Sequence, residues 1–259
     1  MSERMANIGS SVKASQNFLT SRTLINRIIS LAGIEAVDHI VEIGAGKGHI
    51  TRSLVSKCER VTAIEIDHKL FKNLKNKFNT QANLYLIYGD FMGWNLPATP
   101  YKVFSNIPFN RTTAIIRKLT GAANPPEEIW LVIQKGAAKR FSGIPRETLS
   151  SLLIKPFFET GVHYYFRRED FHPAPSVDAV LLALKKKKRP DISFHQRGLY
   201  TKFITDCTAN RSRLHQLLTK KQISTALKME KLSCDIISGD MLYVQWLCLF
   251  RCYAKFTPY

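Results

Sequence analysis

The chain has 259 residues, 45% of them hydrophobic, which suits a large domain with a sizeable core plus a small one and excludes a disordered composition. No stretch comes near the ~18 apolar residues of a membrane span, and the N-terminus, MSERMANIGSSVKASQNFLT, has no apolar secretory core. The net charge of +18 points to a polyanionic partner, nucleic acid before plain solubility or an anionic membrane surface.

The first helical spacing is LTSRTLINRIISL, residues 19–31, with Thr20 or Ser21 as its cap. HIVEIGAGKGHITRSLVSKC then has the pattern of a strand, a glycine loop and a helix. RVTAIEID is a second strand, HKLFKNLKNKF an amphipathic helix, NLYLIYGDF a third strand and YKVFSNIPF a fourth. TTAIIRKLT is helical and EIWLVIQK is a buried strand. ETLSSLLIKPFF is expected to be helical, and HYYFRRED and DAVLLALK to be β-rich. This alternation predicts an α/β domain with a mainly parallel sheet and a ligand site at the carboxyl ends of its strands. The run KKKKRP breaks the pattern. Beyond it YTKFITDCTA, SRLHQLL and YVQWLCLFRCYAKF are helical. We expect one domain over residues 1–184, with an N-terminal arm over 1–20, and a basic linker with a small all-helical domain over 185–259. Lys185–Arg189 is either a solvated linker or an RNA backbone contact. The cysteines Cys58, Cys207, Cys234, Cys248 and Cys252 are scattered and lack CxxC spacing, so buried core positions are expected, with no disulfide and no metal. A cytoplasmic protein follows.

EIGAGKG, residues 42–48, carries chemistry. Glycines at 44, 46 and 48 allow a tight turn and close approach to a ligand. The spacing is neither the GxGxxG of a dinucleotide site nor a P-loop. S-adenosylmethionine has no phosphate and needs room for its methionine tail, with an acid near the amino group, and Glu42 is placed for that. Glu65 ends the second strand, where a carboxylate accepts from both ribose hydroxyls, and Ile66 beside it can pack on adenine. Asp90 ends the third strand and can accept from the adenine amine, with Phe91 next to it. Each feature alone is also consistent with a turn or a surface carboxylate. Acids at successive strand ends together with the glycines favour S-adenosylmethionine.

SNIPFN, residues 105–110, ends the fourth strand on the same rim. The Asn106 side-chain oxygen and the Ile107 carbonyl form two acceptors suited to an exocyclic amine. Pro108 stiffens the turn, and Phe109 can stack on a base. The plain alternative is a proline turn with a core phenylalanine.

SQNFLT, VEIGAGKGHIT, AIEIDHKL, GDF, NIPFN, AKR at 138–140 and FHPAPSVD at 171–178 occur in the order found in the rRNA adenine N6-dimethyltransferases. The chain resembles that family over nearly its whole length. The GKGH and EIDHKL wording is similar to its Erm branch, which methylates 23S rRNA and gives resistance to macrolide, lincosamide and streptogramin B antibiotics. The resemblance implies a Rossmann-like class I S-adenosylmethionine-dependent methyltransferase domain with a small C-terminal helical domain. It implies that Asn17, Leu19, Gly44, Glu65 and Asp90 bind the cofactor, and with the residues read above the cofactor site comprises these and Glu42, Gly46, Ile66, Phe91 and Asn106. Asn106, at the edge of the same site, grips the target base with Ile107, Pro108 and Phe109. Phe171 becomes a second aromatic wall for that base, and Arg111, Lys139 and Arg140 contact RNA. It further implies a monomer acting on 23S rRNA before ribosome assembly is complete. Position 109 departs from the family's usual Tyr: stacking survives, the hydroxyl does not. The competing expectations are a 16S rRNA dimethyltransferase of the KsgA-like branch, a DNA adenine methyltransferase, and an RNA-binding protein without activity.

Overall fold

The computed structural model describes residues 17–233 and 241–256, so most of the expected N-terminal arm and Cys234 lie outside the described residues. In chain order the elements begin with β1 (Phe18–Leu19), α1 (Arg22–Leu31), β2 (His39–Ile43), α2 (His49–Val55), β3 (Arg60–Glu65), α3 (His68–Lys77) and β4 (Leu84–Tyr88). They continue with β5 (Lys102–Asn106), α4 (Thr112–Gly121), β6 (Glu128–Gln134), α5 (Lys135–Ser142), α6 (Leu149–Ile154), β7 (Phe158–Tyr165), β8 (Phe171–His172) and β9 (Ala179–Lys186). Helices α7 (Arg197–Ala209), α8 (Ser212–Leu217), α9 (Lys220–Met229) and α10 (Tyr243–Ala254) follow.

Seven strands form one sheet in the order β4-β3-β2-β5-β6-β9-β7, with β4, β3, β2, β5 and β6 parallel and β9 antiparallel to β6. Near-continuous apolar runs build the parallel strands because helices cover both faces. Ile40, Val61, Phe104, Trp130, Val132 and Leu181 are buried in one core cluster. Local chemistry starts the helices, at Ser21 as expected and at Asp67 without a sequence expectation. Ser21 accepts from Leu24 N at 3.3 Å to cap α1, and Asp67 accepts from Lys69 N and Leu70 N at 2.9 and 3.0 Å to cap α3. Register then lines up the site. Ile43 faces Ile64 and Glu65 faces Tyr88, while Ser105 Oγ donates to Ile43 O at 2.5 Å and accepts from Ile43 N at 3.2 Å. The carboxyl ends of β2, β3, β4 and β5 therefore share one rim.

The chain divides into two compact units: residues up to Ala138 with Thr160–Lys186, and Lys139–Glu159 with the residues from Lys187 onward. A single cut after residue 184 does not describe this, because Lys139–Glu159 goes with the C-terminal helices. Tyr200 OH donates to Leu152 O at 2.9 Å, and Phe157 stacks on Phe194 at 5.3 Å between ring centres. Helix α6 ends at Ile154, ahead of Pro156, and Phe158 already starts β7, so ETLSSLLIKPFF is helical only in its first part. Helix α9, capped by Thr219 at 3.2 Å from Gln222 N, is not singled out by sequence spacing. Within the second unit Phe203 stacks on Tyr253 at 5.1 Å and Tyr200 meets Phe250 edge-on at 4.9 Å. Cys58, Cys207 and Cys248 are buried free thiols, and Cys252 is half-buried. Among the described residues no helix is long and apolar enough to cross a membrane.

Candidate active site

The loop between β2 and α2 is built from backbone that only glycine adopts freely. Gly44, Gly46 and Gly48 have φ of 73°, 57° and 74°. A Cβ on Gly46 would sit 2.6 Å from Phe18 Cε1, and one on Gly48 would sit 2.7 Å from Leu74 Cδ2 and Phe78 Cε2. The loop is thus pressed between β1 on one side and α3 on the other. On Gly44 a Cβ would meet only Pro108 Cδ, at 4.0 Å, so the loop's inner face stays open toward the SNIPF turn.

Two acids lie behind this loop. Glu42 is 2% exposed and accepts from Thr51 Oγ1 at 2.6 Å. Burial pushes its carboxyl up to about 8, against the opposing pull of the Thr51 hydroxyl. Glu65 is equally buried. Its Oε2 accepts from Gly46 N at 2.7 Å and its Oε1 from Asp67 N at 2.8 Å. Burial raises its pKa, while those backbone N–H groups oppose the rise. Each oxygen keeps a second lone pair, so Glu65 is an oriented acceptor for two hydroxyls.

A cleft opens at this rim, lined by Asn17, Phe18, Leu19, Glu42, Gly44, Gly46, Lys47, His49, Glu65, Ile66 and the turn Asn106–Phe109. Asn106 Nδ2 donates to Asn17 O at 2.7 Å. Because only the amide nitrogen can donate to a carbonyl, this bond fixes Oδ1 as the free acceptor end of the side chain. Ile107 is buried, Pro108 has φ −58°, and Phe109 is half-buried against the core. A second cleft shares Gly44, Ile66 and Pro108 with the first and adds Ile43, Gly89, Asp90, Phe91, Arg111 and Ile115. Asp90 caps the turn after β4, with Oδ1 accepting from Met92 N at 2.9 Å.

The structure thus gathers Asn17, Leu19, Glu42, Gly44, Gly46, Glu65, Ile66, Asp90, Phe91 and Asn106–Phe109 on two adjoining clefts. Phe171, expected as a second aromatic wall, lies apart from them. That ring is 4% exposed, packs edge-on to Phe166 at 5.4 Å, and lines neither cleft. Antiparallel pairing sets Phe171 opposite Leu19, and both side chains belong to the core cluster. Arg111, expected to contact RNA, pairs its guanidinium with Asp90 Oδ2 at 3.2 Å. Lys139 and Arg140 are exposed on the last turn of α5. The basic run is largely engaged within the chain. Lys185 and Lys186 pair with Glu128 and Glu127 at 3.6 and 2.8 Å, and Lys187 with Asp191 at 2.5 Å, which leaves Lys188 and Arg189 exposed.

Sequence patterns missed several residues here. Phe18 backs Gly46, Lys47 lies 4.9 Å over the Phe18 ring, and Thr51 holds Glu42. His49 lines the first cleft, and burial together with Lys77, Lys47 and Arg52 lowers its pKa. Lys118 Nζ donates to the carbonyls of Phe91, Met92 and Trp94 at 2.7, 2.9 and 2.5 Å and so closes the Asp90 turn. Its only sequence signal is a lysine inside the apolar pattern of TTAIIRKLT.

Known proteins resemble the chain along its length. The family model for ribosomal RNA adenine dimethylase matches residues 10–251. An rRNA adenine N-6-methyltransferase of Lysinibacillus sphaericus is 35% identical over 247 residues, 95% of this chain and 98% of that protein. A protein of the same name from Escherichia coli is 33% identical over 95% of this chain and 97% of its own length. The crystal structure of the 23S rRNA methyltransferase ErmE superposes with a TM-score of 0.82 at 25% identity, covering 92% of this chain and 100% of that one. A ribosomal RNA small subunit methyltransferase A from Acaryochloris marina is 29% identical over 90% of this chain and 93% of that protein. With its glycine loop, its rim of acids and its Asn-Ile-Pro-Phe turn held in one fold, the chain belongs to the ribosomal RNA adenine dimethylase family.

Proposed function

We propose that this protein methylates N6 of one adenine in 23S rRNA from S-adenosylmethionine, and that this modification confers macrolide-lincosamide-streptogramin B resistance. It acts in the cytoplasm, as a monomer, on rRNA not yet fully assembled into ribosomes. The carrying observation is the Asn106 amide, tied at its nitrogen to Asn17 O at 2.7 Å and so presenting its oxygen on the cofactor rim.

The residues present fit the cofactor. Glu65 has an acceptor site left on each oxygen for two ribose hydroxyls, and the open inner face at Gly44 admits a ligand to the loop backbone. Asn17, Leu19, Glu42, Gly44 and Gly46 would hold the methionine end, and Ile66, Asp90 and Phe91 the adenine. A cationic amino group beside Glu42 would draw its carboxyl back toward the charged form. When bound, the sulfonium supplies an electrophilic methyl group.

The target nitrogen is a poor nucleophile, because its lone pair is delocalised into the purine. Asn106 Oδ1 and the Ile107 carbonyl would accept hydrogen bonds from its two N–H groups and favour a tetrahedral nitrogen. Pro108 holds the two acceptors in fixed relation, and Phe109 offers a ring face to the base. Positioning is the main catalytic contribution. No strong base is needed, since the methylated nitrogen becomes cationic and loses its proton to water. The target must leave its stack to enter the cleft, which favours a single-stranded or bulged adenine. Lys139 and Arg140 would meet phosphates.

The test is transfer of labelled methyl groups to protein-free 23S and 16S rRNA, with reverse-transcription mapping and a macrolide susceptibility test on cells carrying the protein. One modified 23S adenine together with resistance is expected. Label on 16S rRNA alone would give the assignment to the small-subunit branch, and no label on either RNA would refute methyl transfer.

A further inference from the structure

Arg111 is built into the second cleft. Its Nη2 lies 3.2 Å from Asp90 Oδ2, and its backbone N–H donates to Pro108 O at 3.0 Å. The side chain is 29% exposed and forms part of the cleft wall with Ile66, Phe91 and Ile115. Since Oδ1 of Asp90 accepts from Met92 N at 2.9 Å, the carboxylate is tied on both oxygens. The neighbouring ammonium of Lys118 is committed to three carbonyls. Arg111 therefore links the turn after β4 to the Asn-Ile-Pro-Phe turn after β5.

We propose that Arg111 is a specificity-determining residue of the purine end of the cofactor cleft, and not a phosphate contact. This rests on the cleft being the S-adenosylmethionine site. A carboxylate only accepts, so it selects a purine carrying a donor at position 6 and rejects one carrying a carbonyl there. That selection holds only while the carboxylate cannot swing aside. Arg111 and the Met92 N–H remove that freedom from its two sides. The guanidinium also offsets a negative charge among apolar side chains and gives the purine a planar cationic neighbour. Both partners are about a third exposed, so the pair itself adds little to folding stability. The effect belongs to binding.

The full-length chain is titrated by calorimetry with S-adenosylhomocysteine and with S-inosylhomocysteine, its analogue with a carbonyl at position 6. Arg111→Met is expected to weaken S-adenosylhomocysteine about tenfold, the scale of one hydrogen bond to a charged acceptor. It should leave the inosine analogue nearly unchanged, so the preference for the amine collapses. Arg111→Lys should recover part of that preference. In an Asp90→Asn background Arg111→Met should add little, and RNA affinity should not move. The proposal is overturned if Arg111→Met keeps both affinities. It is equally overturned if the variant instead loses RNA affinity, with a salt slope lower by about one. If the wild type binds neither thioether, the cofactor assignment of the cleft fails and takes the proposal with it. Should Arg111→Met not fold, Arg111→Lys and Asp90→Asn carry the same comparison.

Discussion

Gly46→Ala measures how the glycine loop is coupled to Asn106, the residue proposed to hold the target base. The substitution acts in two ways. A side chain at φ 57° costs about 1–2 kcal/mol, because the left-handed region crowds Cβ against the backbone. The new Cβ would also stand 2.6 Å from Phe18 Cε1 and 3.1 Å from Cδ1. Ordinary contact would require the ring to retreat by about 1 Å. Phe18 belongs to β1, and the carbonyl of Asn17, next to it, holds Asn106 at 2.7 Å, so a shift taken up by the strand reaches Asn106. A shift of about 1 Å in a positioning group costs about 100-fold in rate. We therefore expect Gly46→Ala to fold, to lose 1–2 kcal/mol of stability by urea titration (~ one left-handed residue), and to lose about 100-fold in kcat/KM. The assay is transfer of labelled methyl groups to an RNA hairpin. Gly121→Ala is the control: a Cβ there meets nothing within 4 Å, and the backbone is not left-handed. A Gly46→Ala enzyme that loses the stability but keeps kcat/KM within about twofold would refute the coupling.

Other outcomes follow from the same geometry. Lys118→Met removes the shared donor of three carbonyls and should cost about 2 kcal/mol in urea, rehydration at the surface offsetting part of the loss. It should also weaken S-adenosylhomocysteine, because the Asp90 turn loosens; unchanged binding would separate that turn from the cofactor. Burial holds the Glu42 carboxyl at about 8 against an ordinary 4.5, so between those values the folded state carries the extra proton and stability falls as pH rises. Glu42→Gln keeps an acceptor for Thr51 and removes that share of the slope. It should gain on the wild type between about pH 5 and about pH 8 in urea titrations, while Glu65, shifted upward by burial, keeps its own share. Phe109→Tyr should retain activity, whereas Phe109→Ala should lose the stacking contribution of about 1–3 kcal/mol from kcat/KM; equal rates for both would remove the ring from the mechanism. Lys188→Gln with Arg189→Gln should lower the salt slope of RNA binding by no more than about two, and Lys185→Gln, whose ammonium is paired inside the chain, by less than either.

The expected α/β architecture with a mainly parallel sheet and the rim of acids were legible because they depend on local rules. Alternating and helical apolar spacing identifies strands and helices, and the left-handed turns at 44, 46 and 48 favour glycine whatever the rest of the chain does. Ser21 and Asp67 start helices through bonds to residues two or three positions away. The same locality explains the gaps. Helix α9, with Thr219 and Gln222 closing its cap, has a polar face and too few apolar positions to stand out by spacing. Pro156 shortens α6, but only packing of Phe157 on Phe194 decides that Lys139–Glu159 belongs with the C-terminal helices.

By itself, then, the sequence determined most of the elements, where the glycine loop turns, and that Glu42, Glu65, Asp90 and Asn106 stand at or just beyond the carboxyl ends of successive strands, since each depends on residues within a turn or a strand of one another. Only the tertiary structure decided which way those groups face and what they touch. Asn106 meets Asn17 from 89 positions away, Arg111 turns to Asp90, Phe171 turns inward against Phe166, and Glu42 closes on Thr51 away from water. These partnerships depend on strand register and on packing in three dimensions, and a one-dimensional pattern does not encode distances through space.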